Sequence, residues 1–178
     1  MTLTPGAQAP HFELPTTAGA TVSLSELLGG ANALIVAFWC NHCPYVRAWE
    51  DRLIDLVAER EPDGLAAVAI NANDAATHPA DSFEAMVERA SERGYPFHYA
   101  HDESQQVASA YGATRTPEIF LLDADGVIVY HGAIDDSHDP DAAAVPHLAE
   151  AVDAVLAGER PALSATAPVG CTIKWKRA

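Results

Sequence analysis

Phe38-Trp39-Cys40-Asn41-His42-Cys43-Pro44 joins a buried apolar run to a helical one. Behind it, Ala33–Trp39 is apolar at every position, the pattern of a strand covered on both faces. Ahead of it, Val46, Trp49, Leu53, Leu56 and Val57 recur at three- and four-residue steps, which predicts a helix over Cys43–Arg60. Pro44 suits the first turn of that helix, where its missing N–H would be unpaired anyway. Pro62-Asp63-Gly64 ends the element, and Leu65–Ile70 is a second buried run.

Working outward, the same β-then-α alternation continues. Asp81 and Glu84 read as a capping pair opening a helix that carries Phe83, Met86, Val87 and Ala90. Phe97–His101 reads as a short strand, and Gln105–Tyr111 as a short helix closed by Gly112. Glu118–Leu122 and Val127–His131 flank Asp123-Ala124-Asp125-Gly126, a hairpin signal. Leu148, Val152, Val155 and Leu156 mark a last helix. Before the central run, Phe12-Glu13-Leu14 and Val22-Ser23-Leu24 surround a Gly turn and predict a hairpin. The fold class that follows is α/β: a mixed central sheet with helices on both faces, a hairpin extension over residues 1–30 and a tail over 159–178, in a single domain spanning 1–178.

The two cysteines at the strand–helix junction point to thiol chemistry. Backbone N–H groups at a helix start stabilise negative charge. A thiolate at Cys40 would sit in that field, so its pKa is expected below the free value of ~8.5. His42 would add to the effect if protonated or if it donates a hydrogen bond. Two intervening residues on a helical turn bring the second sulfur within bonding reach of the first. A thiolate that attacks and a thiol that resolves are the minimum apparatus of thiol–disulfide exchange. Zinc sites use the same spacing. Here the pair lies inside a β-α-β pattern, and no second C-x-x-C or H-x-x-x-H is present to complete a site. A zinc reading would have to recruit Cys171 and one of the eight histidines, so no metal is expected.

Four stretches carry a family resemblance. Gly6-Ala7-Gln8-Ala9-Pro10-His11-Phe12-Glu13-Leu14-Pro15 is similar to the opening of redoxins, and Trp39-Cys40-Asn41-His42-Cys43-Pro44-Tyr45 to their active-site turn. Tyr111-Gly112-Ala113-Thr114-Arg115-Thr116-Pro117-Glu118-Ile119-Phe120-Leu121-Leu122-Asp123 resembles the segment bearing the superfamily's cis-proline. Pro168-Val169-Gly170-Cys171-Thr172-Ile173-Lys174-Trp175-Lys176 resembles the ending of a peroxiredoxin-like subgroup with the same C-N-H-C motif. The chain thus resembles the redoxin branch of the thioredoxin superfamily, which includes relatives of alkyl hydroperoxide reductase and thiol–disulfide reductases of the cytochrome-maturation type.

The resemblance implies a thioredoxin-like fold and a thiol–disulfide oxidoreductase. Cys40 would attack and Cys43 would resolve. Pro117 would be cis and packed on the sulfurs, Thr116 would offer its backbone to an extended substrate, and Trp39 would belong to the same binding surface. The redox-active disulfide would be the only cofactor. Substrates would be protein or small-molecule disulfides, with a hydroperoxide as the alternative oxidant, and an upstream thiol reductant would close the cycle. His42 resembles the middle histidine of disulfide oxidases, which implies a potential above thioredoxin's ~−270 mV.

Two departures qualify this. Leu34–Trp39 has neither the Pro nor the Thr that peroxiredoxins carry ahead of their reactive cysteine, which argues against direct peroxide reduction. Ala33–Trp39 also lacks the buried acid of thioredoxins, which leaves Glu118 as a candidate proton acceptor for Cys43. Arg115 is a candidate to steady a nearby anion. Cys171 admits three readings: an inert thiol, a partner for Cys40 or Cys43 if the tail folds back, or a link between chains.

Composition bounds the rest. The 178 residues carry 10 basic and 25 acidic side chains, a formal charge of −15, which argues against nucleic acid and anionic membrane surfaces. Three cysteines in a chain of this size fit a reducing compartment. No basic residue followed by an apolar stretch occurs near Met1, so a cytoplasmic monomer or homodimer is expected.

Overall fold

The computed structural model describes residues 1–177. In chain order the elements are β1 (Glu13–Pro15), β2 (Thr21–Ser23), α1 (Leu24–Leu28), β3 (Ala33–Phe38), α2 (Pro44–Arg60), β4 (Leu65–Asn71), α3 (Phe83–Arg93), β5 (His98–His101), α4 (Gln106–Tyr111), β6 (Arg115–Thr116), β7 (Glu118–Asp123), β8 (Ile128–Gly132), α5 (His147–Leu156) and β9 (Cys171–Thr172). Five strands form the central sheet in the order β5-β4-β3-β7-β8. β3, β4 and β5 run parallel, and β7 and β8 run antiparallel to their neighbours.

Every residue of β3 is buried, because both faces of the strand are covered. Successive side chains alternate between faces. Ile35 and Ala37 pack with Trp49 and Leu53 of α2, Met86 of α3 and Leu148 and Val152 of α5. Leu34, Val36 and Phe38 face Ala108 and Tyr111 of α4 and the N-terminal residues Phe12, Leu14 and Val22. The end of β3 is thereby held rigidly, and it delivers Cys40 and Cys43 to the sheet's carboxyl edge.

Two local readings change. Leu24, expected to continue the second hairpin strand, opens α1 instead. Ser23 and Glu26 form a reciprocal cap there, which stops the strand at Ser23. Asp81 is not the cap of α3. Ser82 takes that place by accepting from the Ala85 N–H, while Asp81 is fully buried in the turn before it.

Candidate functional site

The turn after β3 is pinned at Asn41. Its backbone N–H donates to Asp81 Oδ1 at 2.8 Å, its side-chain amide donates to the Ala80 carbonyl at 3.0 Å, and its Oδ1 accepts from Tyr99 OH at 2.7 Å. Arg47, one turn into α2, donates back to the Asn41 carbonyl at 3.0 Å. These bonds hold Cys40 and Cys43 in place; the two are 1% and 0% exposed.

Thr116 sits against both sulfurs. Cys40 Sγ lies 3.4 Å from its hydroxyl and Cys43 Sγ 3.2 Å from its carbonyl oxygen. The Thr116–Pro117 peptide bond is cis, as the resemblance implied. The backbone of Thr116 is not free for an incoming strand, however. It pairs with Cys171 in an antiparallel β6–β9 ladder formed by the chain's own tail. Trp39 is likewise no part of an open binding surface. It is wholly buried in the core cluster just past the end of β3, with its indole N–H donating to Tyr95 OH at 3.3 Å.

The charges differ from the sequence expectation. α2 starts at Pro44 with Cys43 as its cap, so the helix field falls first on Cys43, not Cys40. The Cys40 thiol is pushed far up by its hydrogen bond with Cys43, then by burial, then by the negative charge of Asp81. Cys43 is held well below an ordinary thiol. The hydrogen bond with Cys40 is the main cause, helped by Cys171 and by backbone groups of Val46 and Cys171 against the opposing effect of burial. The Thr116 carbonyl favours the Cys43 thiol, but it is outnumbered by these contacts. Cys43 is therefore the more acidic thiol of the pair and Cys40 the less acidic.

His42 does not serve the Cys40 sulfur as a donor. Its Nδ1 lies 2.5 Å from Asp81 Oδ2. Cys40, His42 and Asp81 offer atoms all within 4.8 Å of one another, and they are the residues here that could hold a metal ion. This grouping differs from the expected recruitment of Cys171 for zinc. Glu118 is not the proton acceptor for Cys43. It is fully buried, and its Oε2 accepts from the N–H groups of Thr114 at 2.8 Å and Arg115 at 3.0 Å, while Oε1 meets His131 Nε2 at 2.8 Å. Burial pushes Glu118 up, but these hydrogen bonds outweigh it and hold the carboxyl below its ordinary range. Arg115 donates to the Gly170 carbonyl at 2.9 Å and so ties down the tail.

Asp81 and Asn73 belong to the site; the sequence pointed to Asp81 only as a helix cap and did not point to Asn73. Asn73 donates to Asp81 Oδ2 at 2.8 Å. Forty residues separate Asn41 from Asp81, and no spacing rule spans such a gap.

The chain is similar to known proteins in sequence and in fold. A thiol:disulfide interchange protein DsbE homolog of Paracoccus denitrificans is 30% identical over 137 residues, which are 72% of this chain and 65% of that protein. The chain thus spans less than two thirds of that relative's length. The crystal structure of a hypothetical protein from Sinorhizobium meliloti superimposes with a TM-score of 0.94 at 38% identity, covering 100% of this chain and 98% of the other. The thioredoxin domain of a thiol-disulfide oxidoreductase from Bacteroides vulgatus superimposes with a TM-score of 0.62 at 20% identity, over 73% of this chain and 89% of that one, and shows the fold to be thioredoxin-like. The AhpC/TSA family matches residues 5–131, which include the whole turn and its cis-proline. The chain belongs to the AhpC/TSA family.

Proposed function

We propose that the protein is a thiol–disulfide oxidoreductase whose redox couple is Cys40 and Cys43. The observation that carries this is the meeting of two hydrogen-bonded thiols on Thr116, with the acidic one at a helix cap. Cys40 attacks one sulfur of a substrate disulfide as its proton passes to the Cys43 sulfur; the coupled pair titrates as a unit. The first substrate sulfur leaves as a thiolate and takes that proton from Cys43, which becomes a thiolate again. The second remains on Cys40 as a mixed disulfide. Cys43, favoured as a thiolate at the cap of α2, then attacks Cys40 Sγ and expels the second substrate thiolate. The substrate gains two electrons, and the Cys40–Cys43 disulfide forms. A dithiol reductant returns the enzyme to its starting state.

Turnover of glutathione disulfide with dithiothreitol as reductant tests this. Wild-type protein is expected to turn over, Cys40→Ser to be about tenfold or more slower, and Cys43→Ser to retain a glutathione adduct on Cys40 seen by mass spectrometry. Equal activity in Cys40→Ser would refute the reading. If hydrogen peroxide instead oxidises Cys40 much faster than a free thiol, the sulfenic-acid route of a thiol peroxidase takes its place. The grouping of Cys40, His42 and Asp81 favours one other reading, a metal-binding module without turnover. One zinc per chain in freshly purified protein, with unreactive thiols, would establish it.

A further inference from the structure

Cys40 and Cys43 are buried almost completely, yet Cys171 is only partly covered, and its Sγ lies 2.7 Å from Cys43 Sγ. The contact is built by the whole tail. Thr116 pairs with Cys171 and Arg115 with Thr172 in the β6–β9 ladder, and the Ile173 N–H donates to the Thr114 carbonyl at 2.9 Å. Ile173 itself is buried in the core. Beyond it, the Lys174 carbonyl accepts from the Asp74 N–H at 2.8 Å and from Gln105 Nε2 at 2.9 Å. A Cβ on Gly170 would stand 2.2 Å from the Thr116 carbonyl oxygen, so only glycine lets the tail approach this closely. The tail therefore lies along the cis-proline turn where an extended substrate would otherwise pair, and it presents a sulfur there.

We propose that Cys171 is a third redox cysteine, through which an external dithiol reductant delivers electrons to the Cys40–Cys43 pair. This rests on the disulfide-exchange reading above. In the oxidised enzyme the Cys171 thiolate attacks Cys43 Sγ. The Cys40–Cys43 bond breaks, a Cys43–Cys171 bond forms, and Cys40 leaves as a thiolate that takes up a proton. The first thiolate of the reductant then attacks Cys171 Sγ and expels the Cys43 thiolate. Its second thiolate resolves that mixed disulfide and releases Cys171. The reductant ends as a disulfide and the enzyme as three free thiols, so two electrons have moved. Burial, and after it the hydrogen bond and charge of Cys43, raise the Cys171 thiol in the reduced state, while Lys174 and Arg115 oppose them. The contribution of the Cys43 charge vanishes once Cys43 is part of a disulfide, which is when Cys171 must ionise.

The full chain is oxidised with diamide, quenched in acid, alkylated and mapped by mass spectrometry. Wild-type protein is expected to yield a Cys43–Cys171 link beside the Cys40–Cys43 link, and Cys40→Ser to close Cys43–Cys171 alone. Glutathione added to that oxidised Cys40→Ser protein is expected to form its adduct on Cys171; an adduct on Cys43 would overturn the relay. Oxidised Cys171→Ser is expected to be reduced by dithiothreitol about tenfold or more slowly than wild type, because a thiol held in place replaces a bimolecular encounter. Equal rates, or two free thiols persisting in Cys40→Ser while wild type closes Cys40–Cys43, would overturn the relay and leave the parent reading standing. Failure of wild type to close any disulfide would overturn both.

Discussion

Asp81 adds to the cost of a thiolate on Cys40, after the hydrogen bond with Cys43 and burial. Its carboxylate is buried, bonded to the Asn41 N–H and to Asn73, and its charge opposes a thiolate on Cys40. Removing that charge must favour ionisation. In a background of Cys43→Ala and Cys171→Ala, which isolates Cys40, Asp81→Asn is expected to move the pH at which iodoacetamide alkylation accelerates downward by about one pH unit, or ~1.4 kcal/mol. An unmoved or upward profile would show that another group holds the proton. The sequence displayed Cys40 and Cys43 openly because their spacing is local. Asp81 was hidden because the turn after β4 brings it to Asn41 only once the strands have paired.

At the scale of elements, the cis-proline turn depends on a buried carboxylate. Glu118, the first residue of β7, accepts the N–H groups of Thr114 and Arg115, and through them fixes the segment that carries Thr116 to the sulfurs. Gln in its place keeps one acceptor but turns a donor toward existing donors. Glu118→Gln is expected to destabilise the fold by ~1–3 kcal/mol at pH 7 in urea denaturation. Because the native carboxyl is held low, its contribution is complete above the unfolded value of ~4.3 and is lost as pH falls through the lower native value. The difference between the two proteins should therefore shrink in acid, and a constant difference would argue against the ionised form. The positions of β3, α2, β7 and β8 were legible beforehand because each has an unbroken run, a helical step or a turn signal. β6 and β9 were not, since two-residue strands have no periodicity and exist only through each other.

For the whole molecule, charge is the dominant long-range quantity. Ten basic against 25 acidic residues leave a net repulsion that the folded state concentrates. Some of the acids are neutralised in the interior: Glu50 of α2 is 2% exposed and meets Arg89 and Arg93 of α3, and Asp135 meets Arg52. The rest repel across the surface. Raising sodium chloride from ~0.01 M to ~0.15 M shortens the screening length from ~30 Å to ~8 Å. The urea midpoint is expected to rise with it, and a falling midpoint would mean that the surface ion pairs outweigh the repulsion.

The amino-acid sequence by itself determined the α/β alternation, the two-faced burial of β3, and the placing of two cysteines at a strand–helix junction. Hydrophobic period and short-range spacing encode those features in neighbouring residues. Tertiary structure alone decided which sulfur is the more acidic, that Asp81 lies near Cys40, that Glu118 anchors a turn and does not take a proton, and that Cys171 reaches Cys43 across 128 positions of chain. These depend on distances between residues far apart in the chain and on the dielectric they share. Only the packed fold sets such quantities.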